Sequence, residues 1–311
     1  MRSRRSRQAL RRPADAAALK PSWYVRRTPG DRLPPLGRGP AGLCRRRVES
    51  IHLQGQAFSA KGKESAAMKL IRVKDYDDMS RKVANIISAQ VILKPNSVLG
   101  LATGTTPIGA YKQLIDWYHK GDVDFAEVST YNLDEYRGLT GDDPQSYRYF
   151  MNTQFFDHID IDKANTHVPD GSNPDIEEAC SSYDKMVKDA GYVDLQLLGI
   201  GRNGHIGFNE PADAFSKGTQ CVDLTESTIE ANSRLFDDPK DVPRQAYTMG
   251  VQTIMNARMI VVAATGEDKA QAVHDMVFGA VTPQCPASIL QLHTNCVVVA
   301  DDAALSLCPE Q

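Results

Sequence analysis

The chain has no run near the ~20 apolar residues of a membrane span. It also has no C-x-x-C pair and no two histidines at zinc-like spacing from each other. The first absence argues against a helical membrane protein, and the others against a structural zinc site or a disulfide framework. The six cysteines, Cys44, Cys180, Cys221, Cys285, Cys296 and Cys308, are scattered, which suits a reducing compartment and predicts a cytoplasmic protein. No G-x-x-x-x-G-K-[ST] occurs, so a standard nucleotide P-loop is excluded. There is no internal repeat, and no apolar segment stands before a small-residue cleavage site.

What is present is length. The 311 residues, 41% of them hydrophobic, are enough for a core that needs no crosslinks. The net charge of −3 conceals two unlike parts. Residues 1 to 67 carry 16 Lys and Arg against four acids, leaving 20 Lys and Arg against 35 acids in residues 68 to 311. So acidic a body excludes general nucleic-acid binding. The first 67 residues are Arg-rich and lack helical or strand periodicity, and they read as a disordered leader. A transit peptide, an RNA-binding arm, and an extension upstream of a natural start at Met68 all have this composition.

From Met68 onward, apolar runs alternate with amphipathic segments. Ser97 to Ala102, Glu127 to Asn132 running on into Tyr136, Val193 to Leu198, Met259 to Ala264 and Cys296 to Asp301 read as strands. A helix is expected from about Pro107 to His119. This is the pattern of βαβ units, and it predicts one α/β domain over residues 68 to 311, a Rossmann-like, mostly parallel sheet with helices on both faces. Each strand runs into a polar or glycine-rich patch, and in an open α/β sheet such patches converge beyond the carboxyl ends of the strands.

Thr103-Gly104-Thr105-Thr106-Pro107 lies between a strand and a helix, where glycine, hydroxyls and free helix N–H groups suit a phosphate. An ordinary capped helix start would look the same. Asn132-Leu133-Asp134-Glu135-Tyr136 puts two carboxylates at a strand end, and alternation points only one of them into the crevice. It reads either as a general base or as a solvated acidic turn. Gly199-x-Gly201-x-x-Gly204 matches the dinucleotide fingerprint, which requires a helix to open at its third glycine. Here His205-Ile206-Gly207-Phe208-Asn209-Glu210-Pro211 follows, so NAD is not expected. Asn203, His205, Asn209 and Glu210 crowd one glycine-flanked loop, in which a carboxylate can orient the imidazole. Arg234 and Lys269 are the two cationic candidates, both of residue types that are usually surface charges, but Lys269 follows the strand from Met259 to Ala264 and so stands on the crevice side, where a cation can hold a phosphate.

The segments L-A-T-G-T-T-P, N-L-D-E-Y-R-G-L, G-I-G-R-N-G-H-I-G-F-N-E-P, A-N-S-R-L-F and T-G-E-D-K-A, in this order, resemble the glucosamine-6-phosphate deaminase family from Met68 to Asp302. The resemblance implies conversion of glucosamine 6-phosphate and water to fructose 6-phosphate and ammonia, with a small-molecule sugar phosphate as partner and no cofactor or metal. By motif, Asp134 resembles the family's base that moves a proton between C2 and C1. His205 resembles its ring-opening acid, supported by Glu210 and Asn203. Thr103, Gly104, Thr105, Arg234 and Lys269 resemble its phosphate grip, and the segment from about Asp223 to Val251 resembles its mobile lid.

Some members have Asp in place of Asn203, which here leaves the negative charge facing His205 to Glu210. Allosteric members carry basic residues where this chain has Gln220 and Val222, so a non-allosteric enzyme is expected. A monomer and a homo-oligomer both remain open. The rival readings are a 6-phosphogluconolactonase-type hydrolase and a non-catalytic sugar-phosphate sensor.

Overall fold

Strands form where β-branched and large apolar residues run together, and those runs build the centre of the fold. The computed structural model describes residues 68–226, 229 and 242–309; the leader with its expected disorder, Cys44 and Arg234 lie outside them. The strands are β1 (Lys69–Val73), β2 (Val98–Leu101), β3 (Ser129–Asn132), β4 (Asp134–Tyr136), β5 (Thr166–His167), β6 (Leu195–Leu198), β7 (Gln220–Asp223), β8 (Gln245–Thr248), β9 (Ile260–Ala264) and β10 (Cys296–Asp301). Seven of them form a sheet in the order β1-β10-β9-β6-β2-β3-β5, with every pair parallel. All residues of β6, β9 and β10 are buried, as expected of a parallel sheet covered on both faces.

The α-helices are α1 (Tyr76–Leu93), α2 (Ile108–Lys120), α3 (Tyr147–Gln154), α4 (Ile176–Asp189), α5 (Val251–Met255) and α6 (Ala270–Phe278). Asp75 caps α1 by accepting from Asp78 N at 2.8 Å, and Met79, Val83, Ile87 and Val91 give the helix one buried stripe. The chain steps from β1 through α1 to β2, then through α2 to β3, in one direction across the sheet. From β6 to β9, and through α6 to β10, it steps the other way. Right-handed crossovers therefore put α1 and α2 on one face and α6 on the other. The direction reverses between β2 and β6, which are paired at Leu99↔Leu195 and Gly100↔Gln196. In an open α/β sheet the ligand crevice lies at this switch point.

Two sequence expectations need correction. Residues 133–136 do not continue β3. The chain turns at Leu133, whose N–H still reaches Leu101 O at 3.3 Å, and β4 opens a second, antiparallel sheet in the order β4-β8-β7. The expected lid segment ends in regular structure as well. Gln245–Thr248 is strand β8, pairing with both β4 and β7, because Ala-Tyr-Thr is a short β-forming run once the Asp- and Pro-rich stretch has passed.

Candidate active site

Asp134 is the first residue of β4, opposite Thr248 of β8, and it is buried. Burial, with the Glu135 carboxylate beside it as the second cause, pushes its pKa up to about 8. Glu135 faces elsewhere. Its Oε1 accepts from Tyr136 N at 2.8 Å and Tyr147 N at 2.9 Å, and its Oε2 from Arg148 N at 2.9 Å. These include the first two N–H groups of α3, so Glu135 closes a helix N-terminus that Ser146 caps from the other side. Burial still lifts Glu135 to about 7, against the pull of those three donors. Of the two carboxylates expected at this strand end, Glu135 is taken up by backbone donors, and Asp134 is the one turned toward the loop after β6.

The loop from Gly199 to Pro211 follows β6, and no helix opens after Gly204, in keeping with the rejection of a dinucleotide site. Gly204 and Gly207 have positive φ, 81° and 56°, a backbone form that favours glycine. The His205 ring lies against Gly201, where a Cβ would stand 2.4 Å from three ring atoms. His205 Nδ1 is 3.1 Å from Glu210 Oε1. Asn203 Nδ2 donates to Glu210 Oε2 at 2.6 Å, and Asn203 Oδ1 accepts from His205 N at 3.2 Å. The amide at 203 thus supplies a donor to Glu210 that an aspartate could not. Asn209 is a buried strut whose side chain bonds Ile206 O, Met249 O, Ser216 and Gln220.

This loop meets Asp134. A Cβ at Gly207 would lie 3.5 Å from Asp134 Oδ2 and 3.0 Å from Thr248 Oγ1, and Phe208 N donates to Thr248 Oγ1 at 3.0 Å. Phe208 stacks on Tyr147 at 6.1 Å between centroids, beside Tyr136. The small sheet, α3 and the histidine loop are thereby locked together. A cavity of about 420 Å³ lies beside the loop, lined in part by Phe208, Glu210, Phe215, Gln220 and Val222. Of the four polar residues picked out in the loop it touches Asn209 and Glu210, and neither Asn203 nor His205.

Beyond β2, Gly104 has φ 85° with open space where a Cβ would stand. Pro107 occupies the N-cap of α2 with no side-chain cap. The backbone N–H groups of Gly104, Thr105 and Thr106 donate to no described group. A Cβ at Gly199 would be 4.0 Å from Thr106 Oγ1, so the loops after β2 and β6 adjoin at the switch point. Lys269 ends a 3-10 turn, Glu267–Lys269, after β9. Burial holds Lys269 below the ordinary lysine range, opposed by Asp268, whose Oδ2 is 3.8 Å from its Nζ. Asp268 also accepts from Arg202 Nε at 2.8 Å, which joins this turn to the histidine loop. Among the described residues no three His, Cys, Asp or Glu side chains stand close enough together to hold a metal ion.

The family model described as glucosamine-6-phosphate isomerases/6-phosphogluconolactonase matches residues 74–299. The chain belongs to this family. A glucosamine-6-phosphate deaminase of Lachnoclostridium phytofermentans is 58% identical over 232 residues, covering 75% of this chain and 98% of the relative. A Clostridium perfringens protein of the same name is 53% identical over 240 residues, covering 77% and 99%. A solved monomeric glucosamine-6-phosphate deaminase is 44% identical with a TM-score of 0.75, covering 77% of this chain and all of that one.

Three features of this family member were not expected from its sequence: Thr248 as the link between Asp134 and the loop, Glu135 as a helix cap, and the Arg202–Asp268 pair. Thr248 stands more than 100 residues from Asp134 in a run with no motif, so only strand pairing reveals it. Glu135 carried a usable signal, since Ser146 marks a helix start eleven residues on. Arg202 lay inside the recognised loop motif but had no chemistry of its own there.

Proposed function

We propose that this chain is an enzyme that converts glucosamine 6-phosphate and water to fructose 6-phosphate and ammonia. The observation that carries the reading is the convergence of a buried carboxylate, Asp134, on the loop holding His205, Glu210 and Asn203. In this reading Thr103, Gly104 and Thr105 receive the phosphate on backbone N–H groups and hydroxyls, with Lys269 as counter-charge. Arg234, outside the described residues, is assigned to the same anion. His205 donates a proton to the ring oxygen and opens the sugar.

Asp134 then takes the proton from C2 and returns it at C1, while a proton from the amine passes to O1, which leaves a hydroxyl at C1 and turns the C2–N bond into an imine. Water adds at C2 and ammonia leaves. A base for this step works best with a pKa near the operating pH, and burial moves Asp134 into that range. General acid/base help is worth ~10²–10⁴ in rate, so orientation by the phosphate must supply much of the remainder.

The relatives' printed names favour the deaminase over a lactonase. So does the chemistry, since lactone hydrolysis needs no base at a carbon-bound proton. We assign the enzyme to the cytoplasm and leave nucleic acid out of its partners. Allosteric activation is not expected. Gln220 is occupied with Asn209 Oδ1 at 3.2 Å, and neither it nor Val222 brings a cation to the cavity they line. The test is a coupled ammonia assay with glucosamine 6-phosphate, run beside galactosamine 6-phosphate and 6-phosphogluconolactone. Ammonia release from the first supports the reading, whereas lactone hydrolysis without ammonia release overturns it. Sigmoidal kinetics relieved by N-acetylglucosamine 6-phosphate would refute the non-allosteric assignment.

A further inference from the structure

Tyr76 is the first residue of α1 and belongs to none of the motifs above. Its hydroxyl donates to Thr105 O at 3.0 Å and accepts from Gly109 N at 2.8 Å. One oxygen on α1 thus ties together the loop after β2 and the first turn of α2, 29 and 33 residues further along the chain. The reach depends on how closely the two helices approach. A Cβ at Gly109 would stand 2.2 Å from Ser80 Oγ, 2.7 Å from Ser80 Cβ and 3.0 Å from Tyr76 Cε1, so only glycine there lets α1 come near enough for the hydroxyl to bridge.

The bridge acts on the anion loop in two ways. It draws the Thr105 carbonyl toward α1, and a carbonyl oxygen left facing a phosphate would repel it. In a trans peptide the N–H points opposite to its C=O, so turning the Thr105 carbonyl to Tyr76 aims the Thr106 N–H away from α1. That N–H has no described acceptor, and the Thr106 side chain adjoins Gly199. The bridge also uses the Gly109 N–H, which fixes which helix donors remain for a ligand.

We propose that Tyr76 is a positioning residue for substrate phosphate, holding the loop from Thr103 to Thr106 in its anion-receiving form. The proposal rests on the phosphate site read above. It requires that the hydroxyl, rather than the ring, carry the effect, because the ring also packs against the apolar core.

The experiment is a Tyr76→Phe variant of the full chain, assayed for KM, kcat and competitive inhibition by inorganic phosphate. Each bond lost contributes a modest net amount, and the conversion from free energy to affinity gives an expected rise of about fivefold in both KM and the phosphate Ki, with kcat within about twofold. A Val83→Ala variant loosens the same helix without touching the hydroxyl. It is expected to lower Tm while leaving the phosphate Ki within about twofold. Tyr76→Phe with unchanged phosphate Ki overturns the proposal, as does an equal rise in Val83→Ala. Lys269→Ala separates the two levels. If it weakens phosphate and Tyr76→Phe does not, the phosphate site stands and the role of Tyr76 falls. If neither variant alters phosphate inhibition, both fall.

Discussion

In β9 and β10 every side chain is buried and all but the terminal Asp301 are apolar, while the three buried residues of β4 are Asp, Glu and Tyr. The two sheets therefore contribute different things. The parallel sheet gains stability from apolar area removed from water. The small antiparallel sheet buries two carboxylates, Glu135 satisfied by three backbone donors and Asp134 with its pKa raised to about 8. Burying an unpaired carboxyl costs stability. The contrast teaches that in this fold the site is found where burial and polarity coincide, rather than where burial is deepest.

The largest expected effect comes from removing the Asp134 carboxylate, the proposed base. Asp134→Asn should lower kcat for ammonia release by about 10³-fold, within the range for general base catalysis. It should also raise Tm at pH 8. A carboxyl whose folded pKa lies above its unfolded value contributes stability that is complete below pH 3.8 and is lost as pH climbs through about 8. The gain in Tm should therefore shrink toward pH 4. If Asp134→Asn is no more stable than the parent at pH 8, the small sheet carries no such cost. In the parent, kcat/KM should rise about tenfold per pH unit below about pH 8 and level off above it.

Gly201→Ala is next. Its Cβ would meet the His205 ring at 2.4 Å, and displacing a catalytic group by about 1 Å costs on the order of 10²-fold. Steady-state kinetics should show a drop in kcat of about 10- to 100-fold with near-parental circular dichroism. In the other sheet, Ile260→Ala, fully buried at the start of β9, should cost about 2–5 kcal/mol in denaturant unfolding and leave kcat per folded molecule unchanged. A matching loss of kcat would erase the division between the sheets. The smallest effect is expected from Glu135→Gln. Removing the neighbouring charge should move the Asp134 inflection in the pH profile downward by a fraction of a unit.

Most of the parallel sheet was legible because period and composition suffice for it. Cys296–Asp301 has its expected bounds, and β2, β6 and β9 begin one or two residues inside theirs. The turns after β2 and β6 were legible because glycine, proline and threonine at strand ends have local meanings. Less legible was β1, a partly exposed edge strand, Lys69–Val73, carrying Lys and Arg among its apolar residues. The small sheet was read wrongly at Leu133 and at Gln245–Thr248, since three- and four-residue strands carry too few residues for period to speak.

The sequence by itself determined the crossover architecture, the position of the switch-point loops and the residue types offered there. Those depend on short-range periodicity and on backbone freedom at particular glycines. Only the tertiary structure decided which of Asp134 and Glu135 is free, that Asn203 donates to Glu210, and that Tyr76 reaches the loop after β2. Each of these is set by a partner far along the chain, by the direction in which a strand presents a side chain, or by how a glycine turn folds a loop back on itself, and none is encoded in local spacing.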